Sequence, residues 1–239
     1  MFAPGDLSAI LRQFNDWYRK VSAELPAALG IQQGVTNSPA GPLLGLFFTW
    51  SSNDVAEGEK WLAKISTLAP VATNSVQWIS PLAWLETIGA FLPKTATGSF
   101  WSISLKELTS EAVEVIGAYT SKIIADPQVM MGIHEFRGPS ATPKDNSVFS
   151  ARTPHYMVEI ICTPVASENL EAALAWGREF RDALARTNAE NVLPERYIAL
   201  TGPDEVDMAK MYGEHWPFLQ QLKKERDPLN VFRTALAQF

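Results

Sequence analysis

Apolar positions return along this chain at two different intervals, and each change of interval marks an element. After Asp6, a good N-cap, Leu7, Ile10, Leu11, Phe14, Trp17, Tyr18 and Val21 recur at the spacing of one helix face, and Pro26 closes that helix. Residues 30–36 and 43–51 predict two strands around the turn cluster Asn37-Ser38-Pro39-Ala40-Gly41-Pro42. Asn53-Asp54 caps a second helix with Val55, Leu62, Ile65 and Leu68 on one side. Ser80-Pro81 opens a third, with Leu82, Leu85 and Ile88 as its expected buried edge and Trp84 beside it. Past a loop at 93–98, residues 100–105 alternate as a strand. Thr109 or Ser110 then starts a helix carrying Ala112, Val115, Ile116, Tyr119 and Ile123. Residues 130–136 and 156–162 predict two strands, separated by a polar loop that includes 138–147. Ser167 caps a long helix striped by Leu170, Leu174, Phe180 and Leu184, and residues 196–200 predict a last short strand. Trp216, Leu219 and Leu222 share a face of a C-terminal helix that Asp227-Pro228 stops, and Phe232 follows as an aromatic expected to be buried.

This order predicts one α+β domain over residues 1–239. Its antiparallel or mixed sheet carries helices on one face and leaves the other open, as a substrate pocket or an oligomer interface. No repeat or linker divides the chain. A hydrophobic share of 46%, with eight Trp and twelve Phe, supplies a large core. A net charge of -6, with no Lys/Arg run longer than two, argues against nucleic acid as a partner. The single Cys162 excludes an internal disulfide and reads as a buried thiol in a reducing compartment. No basic-then-apolar leader is visible, and no apolar run approaches the roughly 20 residues of a membrane span. A cytoplasmic protein is the expectation. Phosphate loops, G-x-S-x-G, C-x-x-C and H-E-x-x-H are all absent, and His134, His155 and His215 show no metal-ligand spacing, so no metal is expected.

Several ordered pieces are more specific. Tyr212-Gly213-Glu214-His215-Trp216-Pro217-Phe218-Leu219, Lys223-Lys224 and Asp227-Pro228-Leu229-Asn230-Val231-Phe232-Arg233 follow one another at the end of the chain. Ile79-Ser80-Pro81-Leu82-Ala83-Trp84-Leu85, Phe100-Trp101-Ser102 and Phe149-Ser150-Ala151-Arg152 precede them. Together they resemble, from Phe14 to Phe232, the C-terminal substrate-domain half of berberine-bridge-enzyme-like, FAD-linked oxidases. That family's flavin domain, with its pyrophosphate loop and flavin-attaching His, has no counterpart in these residues. Ala199 and Leu200 replace the Asn and second aromatic of the family's "Y-x-N-Y/F" pattern, His215 replaces Asn, and Arg226 replaces Tyr. The resemblance therefore implies a substrate domain without a bound cofactor.

In the strand 156–162, Met157, Glu159 and Ile161 alternate with Tyr156, Val158 and Ile160, and the resemblance turns the first set to the open face. Glu159 would there be a carboxyl in apolar surroundings, suited to general acid or base work, or else a structural partner of Arg152 or Arg196. His134 and Tyr197 are the other candidate catalytic groups. Phe100, Trp101, Phe48 and Trp50 are candidates for an aromatic wall, with Met157, Ile161 and Arg152 as further substrate contacts. The expectation is a flavin-independent cyclase of secondary metabolism, of hetero-Diels–Alderase type, acting on a hydrophobic small molecule. A homodimer would cover the face that a flavin domain would otherwise cover. The alternatives are a subunit of a split FAD-dependent oxidoreductase and a non-catalytic binder.

Overall fold

In the computed structural model, five strands form one sheet: β1 (Leu29–Ser38), β2 (Gly41–Trp50), β3 (Ser99–Leu105), β4 (Val129–Phe136) and β5 (His155–Cys162). The residues described are 1–3, 5–38, 41–91, 95–145, 147–201, 205 and 207–233. Pro39-Ala40 in the first turn cluster, Pro93-Lys94 in the loop before β3, and Asn146 in the polar loop lie outside them. The strand order is β2-β1-β4-β5-β3, with every neighbouring pair antiparallel. The sheet is thus antiparallel throughout rather than mixed.

The helices are α1 (Leu7–Val21), α2 (Val55–Ser66), α3 (Pro81–Phe91), α4 (Ser110–Thr120), α5 (Leu170–Ala185), α6 (Met208–Tyr212) and α7 (Trp216–Arg226). Three starts follow the predicted caps, whereas Ser167 falls within a 3-10 turn ahead of α5 and caps nothing. Asp6 accepts from the amide of Ala9, Asp54 from Glu57, and Thr109 from Ala112. Helices α1, α4 and α5 pack through Leu11, Ile116 and Phe180 onto Val35, Met131, Ile133, Val158, Ile160 and Ile103. Helix α2 brings Trp61 and Ile65 to Phe14, Leu29 and Ile31. All these sheet residues point to one face, so burial of their apolar area, at about 25 cal/mol per Å², holds the helical layer against it. Gly177 sets the distance of α5 from the sheet: a Cβ there would lie 2.5 Å from Cys162 Sγ and 2.6 Å from the Trp101 ring.

Three sequence expectations are corrected here. Residues 196–200 form no strand. Val192 bridges to Leu105 and the Leu193 amide bonds to Ser104 O, but Pro194 has no N–H to continue that pairing, and Ile198–Leu200 is a 3-10 turn. The expected edge of helix α3 is not buried: Leu82 and Leu85 are 68% and 67% exposed and Ile88 is half-buried, with Trp78 exposed just before them. Phe232 is likewise exposed. Its backbone rather than its ring is what is held, by Asp227 accepting from the amides of Val231 and Phe232.

Candidate functional site

Successive residues of a strand point to opposite faces, so the register decides what meets on the side away from the helices. Three rows cross the strands there. Phe47, Gln32, His134, Met157 and Ser104 make the first; Gly45, Gly34, Gly132, Glu159 and Ser102 the second; Leu43, Thr36, Met130, Ile161 and Phe100 the third. This face is unevenly covered. Phe47 at one corner is exposed, whereas Ser102, Ser104 and Met157 on β3 and β5 are buried. The chain leaving α5 runs along β3 at that covered side.

Polar groups converge between the first two rows. His134 Nε2 lies 2.7 Å from Glu159 Oε2 and 3.3 Å from Gln32 Nε2. The three groups gather beside Gly132 of β4. A Cβ on Gly132 would sit 3.4 Å from both Glu159 Oε2 and His134 Nε2, and 3.6 Å from Gln32 Nε2. The side chains of Glu159 and His134 are 14% and 28% exposed, which keeps the pair in a medium where a hydrogen bond is stronger than in bulk water. Nε2 carries either a proton or a lone pair. When Glu159 is ionised, His134 donates to it, and Gln32 suits the arrangement with its amide turned to offer oxygen. When the carboxyl holds the proton, its O–H donates to the lone pair of the ring nitrogen, and the Gln32 amide is a neighbour at 3.3 Å. A carboxyl and an imidazole in hydrogen-bond contact can share one proton.

The structure brings together Glu159, His134, Met157, Ile161 and Phe100 from the sequence-derived candidates. It separates the rest. Trp101, Phe48 and Trp50 point to the helical face, because Trp101 directly follows Phe100 and the two cannot share a side of one strand. Arg152 ties its own loop together, donating to Ser140 O, Phe149 O and Ser147 Oγ with its guanidinium 4.7 Å from the Phe149 ring. Tyr197 lies outside the sheet, ahead of the 3-10 turn, and is 41% exposed. Glu159 takes His134 as its partner rather than Arg152 or Arg196. Sequence reasoning missed Gln32, Phe47, Gly132 and Ser102. Their signal was the strand glycines and the period-two serines of Phe-Trp-Ser-Ile-Ser-Leu, both of which depart from a plain apolar alternation.

Other titratable groups stand apart. Burial pushes the Cys162 thiol up to about 12, against a smaller lowering by the Gly177 amide, which suits the expected inert thiol. His155 stacks on Phe136 with ring centroids 4.8 Å apart and places Nδ1 2.6 Å from Thr153 O. Among the described residues no three His, Cys, Asp or Glu side chains are grouped to hold a metal, and no helix is long and apolar enough to cross a membrane.

Comparison with known proteins gives this geometry a lineage. The FAD-linked oxidoreductase aurO of Gibberella zeae is 26% identical over 212 residues, which cover 87% of this chain and 41% of that protein. The chain is similar in sequence to FAD-linked oxidoreductases. It spans less than half the length of the curated relatives it matches. No protein-family profile matches it. Among solved structures, a glycopeptide hexose oxidase complexed with teicoplanin superposes with a TM-score of 0.71 at 17% identity, over 98% of this chain and 52% of the other. The BBE-like 1 protein of Physcomitrella patens superposes with a TM-score of 0.62 at 14% identity, over 93% of this chain and 49% of the other. These similarities establish the fold.

Among the described residues, no group of unpartnered buried side-chain donors is present for a flavin pyrophosphate. A dinucleotide needs several converging donors for its pyrophosphate. The buried polar side-chain atoms without a partner among the described residues are Gln33 Oε1, Ser102 Oγ and Glu195 Oε2, and of these only Ser102 can donate. No reaction step is therefore assigned to a flavin held by these residues.

Proposed function

We propose that the open sheet face binds a small organic substrate and that the Glu159–His134 pair moves a proton at one of its oxygens. The 2.7 Å contact of His134 Nε2 with Glu159 Oε2, on a face with apolar neighbours, carries this reading. Glu159 gives or takes the proton at a carbonyl or hydroxyl oxygen. His134 holds the carboxyl in place and stores the proton between steps, while Gln32 fixes the imidazole. Met157, Ile161 and Phe100 set the shape of the bound molecule. For a polyene or quinone-methide substrate, orientation plus polarisation of a carbonyl accelerates ring closure with no net transfer of electrons. The test is chromatography of the cyclised product formed by the purified chain. Glu159→Gln is expected to lower its rate by about 100-fold or more, with a smaller loss for His134→Gln. Product formed no faster or more selectively than in buffer would sink the cyclase reading.

The FAD-linked relatives favour a second reading, in which the same face is the substrate half of an oxidoreductase whose flavin is carried by another segment of polypeptide. Bound FAD would supply a two-electron acceptor. Glu159 and His134 would keep their proton-handling role. Co-expression with a flavin-binding chain separates the two readings: a stoichiometric yellow complex favours the oxidoreductase, and activity of a colourless chain alone favours the cyclase.

A further inference from the structure

Residues 76–90 carry a run of exposed apolar side chains. Trp78, Leu82 and Leu85 are 65%, 68% and 67% exposed, and Val76, Ile79 and Trp84 are exposed beside them. None of these belongs to the two apolar clusters that hold the helical layer to the sheet. Helix α3 is nevertheless well begun, because Ser80 Oγ accepts from the Ala83 amide and Pro81 takes the first helical position. An isolated helix of 11 residues is marginal in water, and a contiguous apolar patch is rarely left bare.

The two sides of α3 differ. At about 100° per residue, Leu82, Leu85 and Gly89 share one stripe, whereas Trp84 and the half-buried Ala83 and Ile88 turn away from it. The stripe holds no charge, and Glu86 at its margin, where it can stay in water, is the only ionisable residue from 74 to 90. A Cβ on Gly89 would meet nothing within 4 Å, so the stripe ends in bare backbone facing open space. Two bulky residues followed by such a gap let a second helix approach closely. We propose that α3 is a self-association surface, on which a second copy of this chain lays its own α3 about a two-fold axis. Leu82 and Leu85 of each copy pack against the other's, and Gly89 lets the helix axes draw together. A two-fold pairing needs a self-complementary patch, and an uncharged leucine stripe is one. The area fits as well. Trp78, Leu82 and Leu85 with Val76 and Ile79 expose roughly 600 Å² per copy, so that the pair would bury about 1,200 Å², the lower end for a stable and specific interface. This association is independent of the chemistry proposed for the sheet face.

The test is sedimentation equilibrium of the purified chain at concentrations up to about 100 µM, where a monomer–dimer equilibrium with a Kd on the order of 1–10 µM is expected. Leu85→Glu, at an exposed position, puts a carboxylate into the stripe. It should weaken the dimer by about 100-fold or more while leaving the far-UV circular dichroism unchanged. Gly89→Leu separates a fitted helix pair from general stickiness. It adds apolar surface where the chain has room and favours the helix, so the fold keeps or gains stability. It also holds the two axes apart and should weaken the dimer by about tenfold. A monomer over the whole range, association that runs on past the dimer, an unaltered dimer in Leu85→Glu or a tighter one in Gly89→Leu overturns the assignment. So does a chain that is monomeric alone and whose α3 amides gain hydrogen-exchange protection only with a co-expressed flavin-binding chain, which would then be the occupant of this face.

Discussion

Glu135 offers a pH experiment whose sign and size both follow from its surroundings. It points from β4 to the helical face, where its side chain is only 8% exposed, with Arg137 Nε at 2.8 Å and the Tyr18 hydroxyl donating to it. Tyr156 packs edge-on against Tyr18, and Arg137 also donates to the backbone carbonyls of Pro26 and Leu29. Burial raises the Glu135 carboxyl from 4.5 to about 7, outweighing the opposing pull of Arg137. The folded protein thus holds a proton there that the unfolded chain has already released between those values. Stability linked to this group is fully present below about pH 4.5 and is lost as pH rises toward 7 and beyond, by roughly 3 kcal/mol in all. Glu135→Gln has nearly the shape of the protonated acid and cannot ionise. Urea unfolding followed by tryptophan fluorescence, from pH 4.5 to 8, should find the variant close to the parent at the acid end. At the alkaline end it should be more stable by up to about 3 kcal/mol. Other titrating groups cancel in the difference. A gap that stays constant across the range, or that favours the parent at pH 8, would refute the reasoning and show the Arg137 pair prevailing over desolvation.

Two further outcomes test the frame that holds the site. Asp126 is buried and accepts from the amides of Gln128, Val165 and Ala166 and from Asn169 Nδ2. Its burial alone would raise the carboxyl, but these donors together hold it below 3.8, so the stability it adds is present above that value and fades as pH falls through the lowered one. Asp126→Ala, which strands three amides, should cost about 3 kcal/mol near neutrality and lose part of the parent's acid sensitivity, read by urea unfolding at pH 7 and pH 3. Gly177→Ala drives a methyl into Cys162 Sγ and the Trp101 ring and should cost about 1–3 kcal/mol in urea unfolding. Adding Cys162→Ala should recover part of that loss, whereas strict additivity of the two costs would refute the contact.

Strands and helices were legible where a chain signal and a packing demand agree. The caps at Asp6, Asp54 and Thr109, and the alternation of residues 156–162, are such places. Faces were harder to read. Period two says that Phe100 and Trp101 oppose each other, yet not which one meets the helices; the pairing of Trp101 with Ile160 settles that. Helix α3 has apolar residues at helical spacing and still leaves Leu82 and Leu85 exposed, because amphipathic spacing records a capacity for contact rather than the contact itself. Glu159 and His134 were readable singly as polar residues in apolar strands. Their meeting depends on the β4–β5 register, and the chain separates them by 25 residues.

The strand order also constrains how the molecule assembles. β1 and β2 are adjacent in sequence and can zip together as a local hairpin, but β1 pairs on its other side with β4, which begins at Val129, far along the chain from the end of β1 at Ser38. Until β4 pairs, one edge of that hairpin presents unpaired backbone, and the helices waiting to cover its apolar side have no complete sheet to sit on. Contacts of such long sequence separation slow folding and lengthen the life of exposed intermediates. Recovery of native protein after dilution from denaturant should consequently fall steeply with chain concentration, and association among partly folded chains should begin at the hairpin's open edge.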